Sequence, residues 1–464
     1  MNKEKILIVG SGPSAFGFIS GLSKEADAEI TLIDNSQIQQ PGNECKFKSE
    51  FTTGSRLIDD PELDNPLISN HFGGFSNFWG GTYDDPTIDV IEKFSELDID
   101  INKYLNYIDN LIPRFLFTNN PKKSGKVLNF DSILKPETIE NIKSTDFYVK
   151  DSSIATNESC FNNFNENKIC EFCGEIESFC RVDSIWNTKQ FISNLIKKEN
   201  IKYLSTTKLL SFEEKNNIVE CKFLFENDIK FSNYDKLILA SGPISTAEIL
   251  INSKIVKKVS IKTTDLVQVP FFKLFKTSEK LHSFSDLFSS IKVLNLNTYQ
   301  QYYFFSKTIF ILSKNIFKLS RILNFMPKSL LSLLGGMHIY LDREISSIIE
   351  MSLSNNKIIT SYVDGDRKRR NQILRHLFKE LIKSKIILLL PIKKLYLNGS
   401  SYHNGSQFPM DKLASNKTSD SLGRVSNLKN THIVDSSVLP DVNTGPGVKL
   451  IVANSYRIGS NLYS

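Results

Sequence analysis

No stretch limits the fold of this chain more than residues 5–34. Lys5-Ile-Leu-Ile-Val-Gly10 is a near-continuous apolar run, as expected of a parallel strand covered on both faces. It runs into Gly10-Ser-Gly12-Pro-Ser-Ala15, a G-x-G-x-x-A turn. In such a turn the first glycine permits a sharp reversal. The second lets backbone N–H groups approach a pyrophosphate, and the small third residue lets helix pack on strand. Pro13 suits the first turn of the following helix, where its missing N–H costs nothing, and Ser14 sits beside it. Glu29–Asp34 reads as the next strand. Its last residue, 24 positions after Gly10, places a carboxylate where two ribose hydroxyls would lie. Strand, turn, helix, strand and acid predict a doubly wound α/β fold that binds a dinucleotide. Nicotinamide and flavin dinucleotides fit this fingerprint equally.

The chain has 464 residues, too many for one ordinary core, which predicts two domains or one domain with large insertions. With 40% hydrophobic and 23% charged residues, it reads as globular rather than disordered. The apolar run Ile6–Val9 is too short for a signal-peptide core, and no stretch offers about 18 uncharged apolar residues. A cytoplasmic protein is the expectation. Residues 301–400 hold 17 Lys and Arg against 6 Asp and Glu, a local +11 in a chain of net +6. Such a segment is either a solvated basic face or a contact for an anionic surface, membrane or phosphorylated substrate. Residues 40–70 read as a polar surface excursion, and 104–187 show no clear alternation of strand and helix. A second strand-turn-helix signal falls at Lys236–Pro243, and Thr431–Asp435 reads as a short strand closed by a carboxylate. Residues 303–334 follow a helical period broken at Pro327.

Three further segments resemble the glucose-methanol-choline oxidoreductases. Phe72-Gly-Gly-Phe-Ser-Asn-Phe-Trp-Gly-Gly81 is similar to that family's glycine-rich stretch along the flavin. Leu237–Leu250 looks like its second nucleotide-side strand and turn. From Leu422 to Tyr456, Leu422-Gly-Arg-Val, Asn427-Leu, Ile433-Val-Asp435-Ser-Ser-Val-Leu-Pro440 and Ala453-Asn454 fall in family order, followed by Arg457-Ile458. The resemblance covers both ends and a central strip, about half the chain. It implies FAD as cofactor, held by Gly10, Gly12, Pro13, Ser14, Ala15, Asp34, Gly73, Gly74, Ser76, Asn77, Leu209, Ser241, Gly242, Asp435 and Ser436. Gly73 and Gly74 would let backbone approach the flat ring, and Asn77 would offer an amide to its edge. Relatives that bond flavin covalently carry a histidine where this chain has Phe78, so FAD is expected to be noncovalent. The implied architecture is a Rossmann-like FAD domain with an inserted α+β substrate domain. Residues 1–103, 188–257 and 399–464 would build the FAD side and complete the active site, and residues 104–187 and 258–398 the substrate side.

The resemblance also implies the oxidation of an alcohol CH–OH group by hydride transfer to flavin, on a sugar-like or lipid-linked substrate, with the electron acceptor open. Such chemistry needs a base near neutral pH, a role imidazole suits. Of six histidines, His403 alone lies in a matching context, Ser401-Tyr-His403-Asn-Gly405. The family's second His or Asn comes 43 residues later, where this chain has Pro446. Proline offers no side-chain donor or acceptor, so either Asn443, three residues earlier, substitutes, or a single base suffices, or catalysis is weakened.

Cys160, Cys170, Cys173 and Cys180 are crowded, with Cys170-x2-Cys173 approximating an iron–sulfur run whose third position is Ile176. An iron–sulfur cluster, a zinc site and free thiols all stay open. Within 305–325 an apolar stripe faces a basic one, which packs on its own domain or lies on a membrane surface. The second option predicts a peripheral contact through 303–334 on the inner membrane face. A nucleic-acid role rests only on Arg367-Lys-Arg-Arg370 and is not expected. The rival functions are a flavin-containing lyase or isomerase of the same fold, and a non-catalytic descendant acting as an interaction protein.

Overall fold

The structure is a computed structural model describing residues 3–22, 28–36, 68–77, 79–118, 127–129, 147–151, 153–156, 185–198, 201–274, 291–295, 300–305, 333–396 and 403–463. Its centre is a five-stranded parallel sheet, ordered Thr431–Ile433, Lys236–Leu239, Glu4–Val9, Ala28–Ile33, Lys202–Leu204. The sheet is thus assembled from both ends and the middle of the sequence. Ile6, Leu7 and Ile8 have no solvent exposure, which is why this strand reads as an unbroken apolar run rather than an alternating one. One face is covered by the helix Pro13–Gly21, itself packed on the helix Val448–Ser460.

A three-stranded antiparallel sheet follows, Thr207–Lys215, Ile218–Phe225 and Asp228–Tyr234. Its hairpins turn at Asn216-Asn217 and Glu226-Asn227, where both residues of each pair have positive φ. Two successive left-handed residues match the right-handed twist of the flanking strands, and asparagine tolerates that conformation best after glycine. Asn355-Asn356 does the same between Ile348–Ser354 and Lys357–Val363. Those two strands, Lys258–Thr263 and the short Asn404–Gly405 form a four-stranded sheet.

The largest sheet has seven strands. Leu266–Lys273 pairs with Leu334–Tyr340 and, on its other edge, with Ile386–Leu388 and Lys394–Tyr396. Gln300–Phe305, Ile291–Asn295 and Phe147–Asp151 extend it. One face buries Val267, Val269, Phe271, Met337 and Ile339 against Leu374, Leu377 and Leu381 of the helix Arg367–Lys383. Alternation along a strand then places Gln268, His338 and Tyr340 on the opposite face.

The absence of strand–helix alternation in 104–187 agrees with the described residues there, and the helical period at 303–334 needs correction. Within 104–187 the structure has the end of a helix, Ile101–Ile108, and the strands Arg114–Thr118, Val127–Asn129, Phe147–Asp151 and Ser153–Ala155. At the edges of 303–334, residues 303–305 and 334 belong to strands, not to a helix. Cross-strand hydrogen bonding overrides the helical period there, and residues 306–332 lie outside the described residues. Among the described residues, no helix is long and apolar enough to cross a membrane.

Candidate functional site

The G-x-G-x-x-A turn lies at the C-terminal edge of the parallel sheet, where ligands of open α/β folds bind. Gly10 has φ +98°, and a Cβ on it would lie 2.6 Å from the carbonyl oxygen of Ala240, just past the adjacent strand, so no side chain fits. Gly12 is constrained differently. A Cβ built there meets nothing within 4 Å, and the same holds at Gly242, which opens the helix Pro243–Asn252. Both residues are N-caps without a capping side chain, so the helix N–H groups behind them are left for a ligand. Between them lies an open cleft lined among others by Gly10, Gly12, Asp34, Gly74, Leu209 and Ser241. Six residues singled out from distant parts of the sequence therefore share one wall. Pro13, Ser14 and Ala15 form the first turn of the helix behind it.

Asp34 ends the second strand and is buried. Its carboxylate accepts from the Ser11 hydroxyl and from the Ser36 amide at 2.7 Å. Burial pushes its pKa up, against the lowering by these hydrogen bonds. Ser11 Oγ also accepts from the Gly73 amide at 2.8 Å, which ties the glycine-rich segment across the fingerprint turn. The Gly73 carbonyl accepts from Ser76 Oγ at 2.6 Å and from Thr188 Oγ1 at 2.9 Å. Gly74 comes so near that a Cβ on it would stand 3.3 Å from the Cα of Gly12. Asn77 spends its amide N–H groups on the carbonyls of Phe72 and Gly74, both at 2.9 Å, and leaves its Oδ1 buried and unpartnered.

Asp435 is a clamp. Its carboxylate accepts from the Ser437 amide at 2.9 Å, the Ser437 hydroxyl, and Thr246 Oγ1 at 2.6 Å, joining the end of strand Thr431–Ile433 to the helix after Gly242. Full burial raises its pKa despite those bonds. Ser436 Oγ donates to the carbonyl of Asn404 at 2.8 Å, and Gln407 Nε2 donates to that of Pro243 at 2.8 Å. These bonds bring the His403 loop beside the Gly242 turn. Burial holds the His403 imidazole well below its usual value, at about 4, so the ring is neutral at neutral pH. Its Nδ1 is sealed from solvent without a partner.

Asn443 is placed elsewhere. Its Oδ1 accepts from the Thr87 amide at 2.8 Å and the Thr87 hydroxyl at 3.0 Å, and its Nδ2 donates to the carbonyl of Pro446 at 2.8 Å. The side chain closes its own loop and makes no hydrogen bond to His403. Phe78, Cys160, Cys170, Cys173 and Cys180 lie outside the described residues. Among the described residues no group of three or more His, Cys, Asp or Glu side chains is placed to hold a metal.

Sequence reasoning missed several residues. His71, Asn70, Lys208 and Glu248 line the cleft, the last two joined by a 2.8 Å ion pair; Glu248 falls inside the Leu237–Leu250 segment, and no local motif marks the other three. His338 lies on the same sheet face as Tyr340, whose ring stacks on His403.

No family model matches the sequence, and no curated protein matches it. Among solved structures, the chain is similar to the crystal structure of pyridoxine 4-oxidase from Mesorbium loti, with a TM-score of 0.60 at 12% identity. The alignment covers 100% of this chain and 99% of that one, so the likeness is one of fold, from end to end of both proteins.

Proposed function

We propose that this chain is an FAD-dependent oxidoreductase of the glucose-methanol-choline type that oxidises an alcohol CH–OH group to a carbonyl. One observation carries the reading. Buried polar atoms without a hydrogen-bond partner gather on one loop, at His403 Nδ1, Asn404 Oδ1, Ser406 Oγ and Gln407 Oε1. Native interiors satisfy such atoms, and a cluster left without partners beside the Gly242 turn, whose Ser241 lines the cleft, fits a polar ring system. Asn77 Oδ1, in the glycine-rich segment, is a further acceptor of this kind. The fold supports the reading, since the structural neighbour is by its name an oxidase of pyridoxine.

The fingerprint turn, Asp34 and the Gly242 turn would hold the nucleotide and its phosphates, and Gly73–Asn77 with the 403–407 loop would hold the ring. Bound FAD would supply the hydride acceptor. His403 takes the hydroxyl proton as the C–H bond breaks and the C=O bond forms. Its Nε2 is the nitrogen left for that step, because Nδ1 is sealed. The substrate class is a small alcohol, sugar-like or lipid-linked, and Phe78 in place of histidine leaves FAD noncovalent. The test is the visible spectrum of the purified protein, then acid precipitation, then anaerobic titration with alcohols. A flavin spectrum, release of intact FAD into the supernatant and bleaching by an alcohol are expected. A protein that never binds FAD under any reconstitution would end this reading.

A further inference from the structure

A base is normally oriented by a third group, most often through a hydrogen bond to its distal nitrogen. Here no hydrogen bond holds either nitrogen of the His403 ring among the described residues, and Nδ1 is sealed from water. What the ring does have is a face. The Tyr340 ring lies against it with centroids 4.7 Å apart and planes 19° from parallel.

The backbone explains how these two rings meet across 63 residues of sequence. The His403 carbonyl accepts from the Thr264 amide at 3.1 Å, Leu266 pairs with Tyr340 across the sheet, and the Leu341 amide donates to the Asp265 carbonyl at 2.9 Å. Residues 264–266 therefore anchor both ring-bearing segments. That corner is itself pinned. The buried Asp265 carboxylate accepts from the Ser347 amide at 3.0 Å and the Ser347 hydroxyl at 2.6 Å, and its own amide donates to Ser346 Oγ at 2.9 Å. Behind Tyr340 stands the edge of the His338 ring, 6.4 Å away at 86°, with His338 Nε2 2.8 Å from the Gln268 amide. The sequence lost the family's second polar side chain at Pro446, and the loop that carries it turns Asn443 toward Thr87. The substrate-side sheet is what reaches the base.

We propose that Tyr340 is a positioning residue for His403, fixing the plane of the imidazole by face-to-face stacking and excluding water from that face. The proposal rests on the reading of His403 as the base. The stack is made by the ring, so phenylalanine at this position keeps it. It also accounts for the neutrality of the imidazole, which comes from burial alone with no charged neighbour contributing. The Asp265 carboxylate, on the corner that anchors both ring-bearing segments, is turned to Ser347 and Thr263. Tyr340 and His338 are both uncharged at neutral pH, the first raised and the second lowered by burial.

The experiment compares Tyr340→Phe, Tyr340→Leu and the unbranched, non-aromatic Tyr340→Met in the FAD-loaded protein. Flavin content and circular dichroism are checked for each. Two quantities are read: the His403 pKa, by NMR titration of 15N-histidine-labelled protein with His403→Gln for assignment, and the pH profile of flavin reduction by stopped flow. Tyr340→Phe should match wild type within about twofold in rate and leave the pKa in place. Tyr340→Leu or Tyr340→Met should slow reduction by about 10–100-fold, the scale on which small misplacements of a reacting group act, and move the His403 pKa up toward its free value of about 6.5. If one of the two fails to fold, the other decides. An unchanged His403 pKa in the non-aromatic variant overturns the proposal, as does a Tyr340→Phe variant as slow as Tyr340→Leu. The NMR readout does not depend on turnover. A wild-type rate in His403→Ala would sink the base assignment, while the pKa shift would still judge the stack.

Discussion

Gly10 and Gly12 stand two residues apart in one motif, yet the fold constrains them for opposite reasons. A side chain at Gly10 collides with the Ala240 carbonyl and must also hold φ +98°, so Gly10→Ala should destabilise the folded chain itself, by about 2–5 kcal/mol. A side chain at Gly12 enters open space. Gly12→Val should therefore melt like the wild-type apoprotein and still fail to retain FAD. Thermal melts with and without cofactor, beside flavin content, separate the two; flavin retained at wild-type level in Gly12→Val would show that the pyrophosphate lies elsewhere. At His403 the expected effect is on rate. His403→Ala should slow flavin reduction by about 10²–10⁴-fold, the usual contribution of a positioned general base, with little change in FAD content. Stopped-flow reduction by an alcohol that bleaches the wild-type flavin is the measurement. A pKa of about 4 also means that, in wild type, the base stays unprotonated and the rate holds as pH falls from 7 to about 5. These residues were legible because each belongs to a short motif whose spacing is its geometry. His338 and Tyr340 were not, since a strand residue's face is set by its neighbours across the sheet.

Among the elements, the short strand Thr431–Ile433 and the helix Pro243–Asn252 are joined by one carboxylate, that of Asp435. Asp435→Ala would strand the Ser437 amide and hydroxyl in a site closed to water and leave the Thr246 hydroxyl with Ser241 Oγ alone. A loss of about 3 kcal/mol is expected, since each orphaned buried group costs about 1–3 kcal/mol and some relax. FAD retention should fall with it, because Gly242 sits at the start of the clamped helix. Urea unfolding of the apoprotein and flavin content are the readouts; a variant as stable as wild type would show the clamp to be dispensable. The paired Asn turns and the strand at 300–305 illustrate what local pattern reading misses. Left-handed asparagine pairs carry no glycine signal, and aromatic residues near a helical period pair as strands once a partner edge is present.

At the scale of the whole molecule, one carboxylate also ties distant layers. Asp441 accepts from Lys93 and pairs with Lys262 at 3.1 Å and with Arg343 at 2.6 Å, and Arg343 also reaches Asp89. Burial pushes the Asp441 pKa up, but the three cations outweigh it and hold it below the usual range. The buried imidazoles set the acid response. His338 is held at about 3, and His403 and His432 at about 4, all by desolvation. Each is neutral in the fold and protonated in the unfolded chain below about pH 6.5, so unfolding takes up protons and stability falls as pH drops. His338 alone should contribute a slope of about 1.4 kcal/mol per pH unit between about pH 5.5 and 4. Denaturant unfolding of His338→Gln at several pH values in that window should show the slope reduced by that amount. A slope equal to wild type would mean that His338 is already charged in the fold.

The sequence by itself determined the first strand-turn-helix unit: strand, glycine turn, helix and Asp34 lie within 34 residues, and local chain geometry suffices to build them. It also marked the His403 loop, because that loop keeps a recognisable order of residues. Only the tertiary structure decided that Gly74, Leu209 and Ser241 share a wall with Gly10, and that Asn443 turns to Thr87. It alone set Tyr340 against His403. Those contacts span tens to hundreds of residues and depend on strand order and register, which are fixed by burial of whole faces rather than by any local run of side chains.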